Sequence, residues 1–256
     1  MSTRKRLDST VAALQRRYGD RALTKGLSKH PVPPHIATGF AALDALTGCR
    51  GVPTGAITLF SGRMTSGKLT LAYKTLAEAQ GKTGNHKTAL LDLSGGSDPD
   101  YLARCGVQME RLILVRPTAT TDVMQLIIDL VATGELRLLL IDSLADLFAH
   151  QRGGRRVRQM ADQLVTILRA SPCALLLLEE FAPGWRRWLR LERDNALTQQ
   201  AALHVALRRE RWLEGEGRIT GYEAEALLLK SRWAESGATA RIAITFNGTV
   251  RARTSW

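Results

Sequence analysis

The chain has 256 residues, 45% of them hydrophobic, which is ordinary for a globular protein and suits one large α/β domain or one domain with a small appendage. Its formal net charge of +12 and pI near 10.2 favour a polyanionic partner, nucleic acid before an anionic membrane. The three cysteines lack metal-ligand spacing and the apolar runs are too short to cross a bilayer, which excludes a disulfide scaffold, a cysteine metal site and a membrane span, so we expect a cytoplasmic protein.

Residues 1–35 are predicted to form a short helix followed by a linker. Val11, Leu14 and Tyr18 recur on one helical face, and Gly19 marks the end of that helix. The stretch "HPVPPH" at 30–35 is predicted to be extended, because each proline fixes φ and disfavours helix in the residue before it. The remaining residues, 36–256, are predicted to form one core.

Within this core, predicted strands alternate with predicted helices. Apolar runs at 56–60, 88–92, 111–115, 136–142 and 173–179 read as strands, and a helix is expected from Lys68 to Gln80. Continuous apolar strands separated by amphipathic helices indicate an α/β fold with a mostly parallel sheet covered on both faces. Three later runs, beginning at residues 201, 222 and 238, alternate partially and suggest antiparallel strands at one edge of the sheet.

The stretch "FSGRMTSGKLT" at 60–70 keeps the G-x-x-x-x-G-K spacing of a phosphate-binding loop and lies between a predicted strand and a predicted helix. Its glycines allow backbone N–H groups to approach phosphates, and the helix N-terminus adds partial positive charge. The alternative is a chance glycine-rich turn. The position that should hold a magnesium ion through a hydroxyl is Leu69, and a hydroxyl follows one residue late. The predicted nucleotide-binding residues of this segment are Gly62, Arg63, Met64, Thr65, Ser66, Gly67, Lys68, Leu69 and Thr70.

A second acidic element supports this prediction. The apolar strand "RLLLIDS" ends in Asp142, where NTPases of this kind carry the acidic residue that holds magnesium. The alternative is an aspartate that merely caps the following segment. We predict Asp142 as a weak magnesium ligand.

The chain resembles the RecA-like recombinases over nearly its whole length. The segments that carry the resemblance are "ALQRRYGDRALTKGL", "IATGFAALDALTGCRGVPTGAITLFSG", "LLDLSGGSDPDYLARCGV", "LLLIDSLADL", "NALTQQAALHVALRRERW" and "GYEAEALLLKSRW". The resemblance implies a RecA-like P-loop NTPase core that uses ATP and Mg²⁺, preceded by a segment through which subunits associate into homo-oligomers. Homologous positions imply that Asp98 and Tyr101 contact adenine. They also imply that Lys230 and Arg232 reach the phosphate of a neighbouring subunit's nucleotide, although a solvated edge strand would explain both cations equally well.

Departures from the family pattern fall on the catalytic positions. Leu69 replaces the magnesium hydroxyl, Ser94 replaces the water-activating glutamate, and Glu180 replaces the sensor amide. Phosphoryl transfer needs a metal beside the phosphates and a water positioned for in-line attack. We therefore predict that nucleotide binding is weak or absent and that hydrolysis is slow or lost. Glu180 is a candidate substitute carboxylate, and the chain is at most a degenerate DNA-dependent ATPase.

Two arginine-rich loops are predicted after the fourth and fifth strands, where the resemblance implies DNA-binding loops. Guanidinium groups neutralise phosphates and exposed aromatics stack on unpaired bases, a combination suited to single-stranded DNA. In the second loop, the tryptophans could instead lie on a short amphipathic helix that docks on protein. The predicted DNA-binding residues are Arg152, Arg155, Arg156 and Arg158 in the first loop (150–159), and Trp185, Arg186, Arg187, Trp188, Arg190 and Arg193 in the second (181–195).

Two functions remain open at this point. The first is a RecA-like protein of DNA repair, recombination and the DNA damage response that binds nucleotide and single-stranded DNA and self-associates. The second is a non-catalytic accessory scaffold for a recombinase or a translesion polymerase, which the changes at positions 69, 94 and 180 favour.

Overall fold

The chain divides into two units, Met1–Pro31 and Val32–Trp256, and each is described by itself. This computed structural model describes residues 3–19, 31–81, 87–151, 154–180, 196–215, 217–247 and 249–253. In the first unit, the predicted helix is present as α1 (Thr3–Tyr18), and Gly19 follows it at φ +87°, a conformation that favours glycine. The predicted boundary at residue 35 and the oligomerisation role of the first segment stay predictions.

The strands of the second unit form one large sheet and one small sheet. They are β1 (His35–Ile36), β2 (Val52–Pro53), β3 (Ile57–Gly62), β4 (Lys87–Asp92), β5 (Leu112–Val115), β6 (Leu136–Asp142), β7 (Ala174–Glu180), β8 (Leu203–Gly215), β9 (Arg218–Ser231), β10 (Thr239–Asn247) and β11 (Thr249–Arg253). The large sheet has the order β11-β10-β9-β8-β3-β7-β6-β4-β5, and β1 pairs with β2 separately. The strands from β8 to β5 are parallel, and β9, β10 and β11 add antiparallel pairs. The predicted mixed sheet is therefore confirmed.

Helices connect the parallel strands. They are α2 (Ala41–Leu46), α3 (Lys68–Gln80), α4 (Pro99–Arg104), α5 (Val123–Ala132), α6 (Leu144–His150), α7 (Gly154–Ala170) and α8 (Ala196–Gln200). The predicted bounds of α3 are correct. Side chains at the N-caps hold three of these helices: Asp98 begins α4, Asp122 begins α5 and Ser143 begins α6, and each accepts a hydrogen bond from a backbone N–H of the first turn. In the part of the chain described, no helix combines the length and apolar composition that crossing a bilayer requires.

The central strands are buried on both faces, which explains their continuous apolar runs. Successive strand residues point to opposite faces, so neighbouring positions serve different cores. On one face, Leu140 of β6 joins a cluster with Leu76 of α3. On the other face, Ile141 joins Ile127 of α5 and Leu164 of α7. Two apolar layers of helices therefore fix the carboxyl ends of the strands, where the candidate site lies.

The longest strands extend beyond the carboxyl end of the sheet. Gly62, the last residue of β3, pairs with Glu180 of β7 on one side and with Leu207 of β8 on the other. After Leu207, β8 pairs with β9 alone among the described strands, so residues 208–215 and 217–225 form a β8–β9 hairpin, whose β9 strand also pairs with β10 from Gly221 onward. Cross-strand ion pairs join Arg208 to Glu225 and Arg211 to Glu223, at 3.3 and 2.6 Å, on this hairpin.

Candidate functional site

The predicted phosphate loop lies between β3 and α3 with glycine at both of its required positions. A Cβ on Gly62 would lie 2.6 Å from the Leu207 carbonyl oxygen and against the Ser66 hydroxyl, so no larger residue fits there. Gly67 has φ +92°, and a Cβ on it would lie 2.7 Å from Tyr222 Oη. Both glycines are therefore required by close contacts, and Gly67 is required by its backbone conformation as well.

The interior of the loop contains a hydroxyl without a protein partner. Ser66 is 2% exposed, and its Oγ has no hydrogen-bond partner among the described residues. Its backbone N–H donates to the Arg63 carbonyl oxygen at 3.0 Å, which closes the turn. The side chains of Arg63, Met64 and Thr65 are exposed at the rim. Because a buried polar atom without a partner costs free energy, an oxygen-rich ligand beside Ser66 would relieve that cost.

Lys68 begins α3 and is held by its own chain. Its Nζ donates to the Arg63 carbonyl oxygen at 3.3 Å and lies 3.8 Å from Glu180 Oε2. Burial lowers the pKa of Lys68, and the nearby Glu180 and Asp142 carboxylates oppose that shift. The lysine is therefore directed to the side of the loop where β7 and β6 end.

Asp142 ends β6 beside Asp92, its register partner on β4. Burial raises the pKa of Asp142 to about 6, the Asp92 and Glu180 carboxylates add to this rise, and Lys68 opposes it. This cluster carries more negative charge than Lys68 neutralises, so a polyphosphate that enters it meets electrostatic repulsion. A divalent cation beside Asp142 would reduce that repulsion.

The hydroxyl that a magnesium ion needs is not supplied by the residues after Lys68. Leu69 packs against the apolar core. Thr70 is 4% exposed, and its Oγ1 shares a hydrogen bond with Tyr101 Oη and accepts one from Tyr222 Oη at 3.1 Å. The residues therefore fit a polyphosphate but do not fit a fully ligated magnesium ion, since only Asp142 remains of the two predicted ligands.

The two residues predicted to contact adenine, Asp98 and Tyr101, both form contacts within the chain. Asp98 is exposed and its Oδ1 accepts the Asp100 backbone N–H at 2.9 Å at the start of α4. Tyr101 is half-buried, and its ring lies 5.8 Å from the ring of Tyr73, centroid to centroid. Tyr101 reaches the end of the loop through Thr70, whereas the Asp98 side chain bonds to α4 and makes no hydrogen bond to the loop in the described residues.

An acidic residue missed by the sequence analysis shapes the turn at 93–97. The fully buried Asp92 carboxylate accepts hydrogen bonds from the backbone N–H groups of Gly96 and Ser97, and from Arg116 Nε at 2.9 Å. Burial would raise the pKa of Asp92, but the hydrogen bonds from Ser97 and Arg116 outweigh it and hold that pKa below its ordinary value. Ser94 is exposed on this turn. The sequence did contain a signal for this pair, since Asp92 ends the apolar strand β4 and Arg116 directly follows β5.

Lys230 and Arg232 lie toward the opposite end of the sheet. Lys230 is the register partner of His204, which lies beside Leu59, three residues before Gly62 and so about 10 Å along the strand. Its Nζ donates to the Gln199 carbonyl oxygen at 2.7 Å. Burial lowers the pKa of Lys230, and the neighbouring Arg232 lowers it further.

Arg232 borders a small cavity at the amino ends of the parallel strands. The cavity has a volume of about 40 Å³ and is lined in part by Arg169, Gln200 and Arg232. Neither Lys230 nor Arg232 has an acidic partner within the described ranges. The structure does not bring these two cations to the phosphate loop of the same chain.

The first predicted arginine loop is mostly helical. We predicted a loop at 150–159, but α6 ends at His150 and α7 begins at Gly154, because the apolar stripe of α7 already starts at the buried Val157. Arg155 and Arg158 are exposed on α7, whereas Arg156 donates to Asp122 Oδ2 at 2.6 Å. The predicted residues outside the described ones are Arg152, Trp185, Arg186, Arg187, Trp188, Arg190 and Arg193.

Comparison with known proteins places this geometry in a family. Residues 5–167 match the model of the RecA N-terminal domain. The RecA protein of Anaplasma marginale (strain Florida) is 34% identical over 145 residues, covering 56% of this chain and 40% of that protein. The RecA protein of Paracoccus denitrificans is 26% identical over 246 residues, covering 89% of this chain and 68% of that protein.

A solved structure shares the fold. The crystal structure of the RadB recombinase superposes with a TM-score of 0.65 at 22% identity, covering 86% of this chain and 100% of that one. Several of the RecA matches, including the one from Anaplasma marginale, align over only about two fifths of the relative's length.

Proposed function

Because this chain belongs to the RecA family, we propose that it is a DNA repair or recombination protein that binds nucleotide phosphates and single-stranded DNA with slow or no ATP hydrolysis. The observation that carries the proposal is the phosphate loop, in which the buried Ser66 hydroxyl, without a hydrogen-bond partner in the described part of the chain, lies inside a turn closed by Gly62 and Gly67. Backbone N–H groups at the start of α3 and the Lys68 ammonium supply the positive potential that a polyphosphate needs.

Slow hydrolysis follows from the groups that surround the loop. A bound magnesium ion would neutralise phosphate charge beside Asp142, but Leu69 offers no ligand and the Thr70 hydroxyl is held by two tyrosines. Ser94 cannot accept a proton from an attacking water as a glutamate can. Glu180, whose Oε2 lies 3.8 Å from Lys68 Nζ, is the residue we propose as a substitute base, and this contact supports the proposal. Both ATP and magnesium binding are weak for these reasons.

The proposed contact with DNA rests on exposed arginines. Arg155 and Arg158 have no ion pair within the described part of the chain and lie at the start of α7, near the carboxyl end of the sheet. When arginines without an ion pair neutralise DNA phosphates, the counterions that were bound to the DNA are released, which favours binding. Arg156 contributes less, because Asp122 already neutralises it. The second predicted segment, 181–195, is proposed as part of the same DNA contact from its sequence alone.

Self-association is proposed as head-to-tail contact between copies. Lys230 and Arg232 are too far from their own loop and have no acidic partner in the described residues, so they would meet the nucleotide phosphates of a neighbouring copy. The accessory-scaffold alternative is favoured by one specific observation, the Lys68–Glu180 ion pair, which neutralises the loop lysine within the chain.

Two measurements test the proposal. We expect a fluorescent ATP analogue to bind and single-stranded DNA to raise ATP turnover only slightly, so turnover near that of an intact recombinase would contradict the slow-hydrolysis part. In titrations of single-stranded DNA against salt, Arg155→Ala should weaken binding for all sequences and reduce the salt slope by about 1. Arg156→Ala is the matched control and should reduce the slope less. Absence of DNA binding by the unaltered chain would remove the DNA part of the proposal.

A further inference from the structure

The two sides of the phosphate loop differ in what they offer a nucleotide. Lys68, Asp142 and Glu180 converge where β7 and β6 end, on one side of β3. In a loop of this kind the lysine reaches the β- and γ-phosphates, so the terminal phosphates belong on that side. The α-phosphate and the nucleoside then continue to the other side of the loop, past the first turn of α3 at Gly67 and Thr70.

That other side is filled by Tyr222 of β9. Tyr222 is 7% exposed, and its ring lies so close to Gly67 that a Cβ there would be 2.9 Å from Tyr222 Cε2. Its hydroxyl donates to Thr70 Oγ1 at 3.1 Å, and Thr70 is bonded in turn to Tyr101. Three hydroxyl groups from α3, α4 and β9 therefore meet beside the first turn of α3 and leave it covered by an aromatic ring.

The ring is also supported from outside. Trp212 of the β8–β9 hairpin packs edge-on against Tyr222, with 6.0 Å between ring centroids and an interplanar angle of 84°. The Arg209 guanidinium lies 4.3 Å above the centroid of the Trp212 ring. Displacing Tyr222 would disturb a stack of three side chains as well as two hydrogen bonds, so the covered state is energetically favoured.

We propose that Tyr222 is a specificity-determining residue that admits phosphate groups to the loop and excludes the nucleoside beyond them. The site would then bind inorganic polyphosphate at least as tightly as ATP, because only the phosphate portion of ATP has room. This inference rests on the proposed phosphate-binding function and names which part of the ligand the site recognises.

The test is a calorimetric titration with sodium tripolyphosphate and with ATP, each with and without magnesium. We expect the unaltered chain to bind the two ligands with dissociation constants within about threefold of each other. Tyr222→Ser removes the ring, so ATP should bind about tenfold tighter while tripolyphosphate is unchanged, because the nucleoside gains contacts. Tyr222→Phe keeps the ring and should behave like the unaltered chain.

Each outcome decides between the two proposals. ATP binding more than about tenfold tighter than tripolyphosphate in the unaltered chain would overturn the inference without any variant, so an unfolded Tyr222→Ser protein does not prevent the test. An unchanged ligand ratio in folded Tyr222→Ser would overturn it too. Tripolyphosphate binding that Lys68→Ala abolishes would leave the phosphate-binding proposal standing in either case. If neither ligand binds to any of the proteins, both the proposed function and the inference are wrong.

Discussion

The two ends of the parallel sheet treat their positive charges differently. At the carboxyl end, Lys68 is bound by Glu180 and by a carbonyl oxygen of its own loop. At the amino end, Lys230 and Arg232 have no acidic partner in the described residues, and burial and the neighbouring Arg232 lower the pKa of Lys230. The first end must exchange an internal ion pair for a phosphate, whereas at the second end Lys230 donates to the Gln199 carbonyl oxygen and would exchange no carboxylate for an anion from outside the chain. The proposed nucleotide site therefore starts from a neutralised lysine, and the proposed contact between copies starts from two cations that lack an acidic partner among the described residues.

The sharpest way to break this comparison is Lys68→Ala. Removal of the ammonium takes away the cation that opposes the Glu180 and Asp142 carboxylates, so we expect affinity for a fluorescent ATP analogue to fall about 100-fold. Lys87→Ala is the control, because Lys87 lies at the start of β4, at the end of the sheet opposite to the loop, and forms an exposed ion pair with Glu135. Equal affinities for the two variants would mean that the loop does not bind phosphate.

The amino end is tested by the double variant Lys230→Ala and Arg232→Ala. Loss of two cations that have no acidic partner in the described residues should raise the protein concentration needed for nucleotide-dependent assembly about tenfold, as measured by light scattering. Affinity of the dilute chain for the ATP analogue should stay unchanged, since both residues lie away from its own loop. A loss of that affinity would place the two cations in the chain's own site and remove the contrast.

Glu180→Gln should raise the affinity of the carboxyl-end site for ATP, whereas Lys68→Ala should lower it. Neutralising this carboxyl group frees Lys68, so affinity for ATP without magnesium should rise about fivefold, with a smaller rise when magnesium is present. Glu135→Gln, which removes an exposed carboxylate from a surface pair, is the matched control. A decrease in affinity with magnesium would instead show that Glu180 helps to hold the metal.

The smallest effect is expected on stability. The pKa of Asp142 is raised to about 6 from 3.8, so the folded chain binds more protons than the unfolded chain between these values, and Asp142 makes stability fall as pH rises through that window. Asp142→Asn removes this term and should stabilise the chain by about 1 kcal/mol at pH 7.5, after allowance for partial exposure. The difference should vanish near pH 4 in urea denaturation. A variant less stable at pH 7.5 would contradict the assignment.

Sequence patterns predicted the strands, the loop and the helix whose conformation depends on residues close in sequence. Apolar runs gave the central strands, because both faces of those strands are buried, and the glycine spacing gave the loop and the start of α3. The first turn of α7 was predicted as part of a loop, because its arginines indicated a DNA-binding loop and its first apolar residue is Val157.

Contacts between distant residues could not be read in this way. Thr70 and Tyr222 are 152 positions apart, and nothing in either neighbourhood indicates that their hydroxyls meet. Gly67 was predicted from its motif, but its steric requirement comes from Tyr222 on another strand. The ion pair between the exposed Arg116 and the buried Asp92 carboxylate likewise depends on how β4 and β5 are placed side by side.

The turn at residues 93–97 owes its shape mainly to Asp92, whose carboxylate accepts the backbone N–H groups of Gly96 and Ser97, while Ser94 Oγ accepts the same Gly96 N–H at a longer 3.3 Å. Position 94 is consequently open to redesign without refolding its surroundings. A glutamate installed there would be presented on a rigid support, yet it would act on nothing until position 69 also regained a hydroxyl. Laboratory evolution of this chain toward turnover would therefore have to cross a step at which the first change brings no benefit alone.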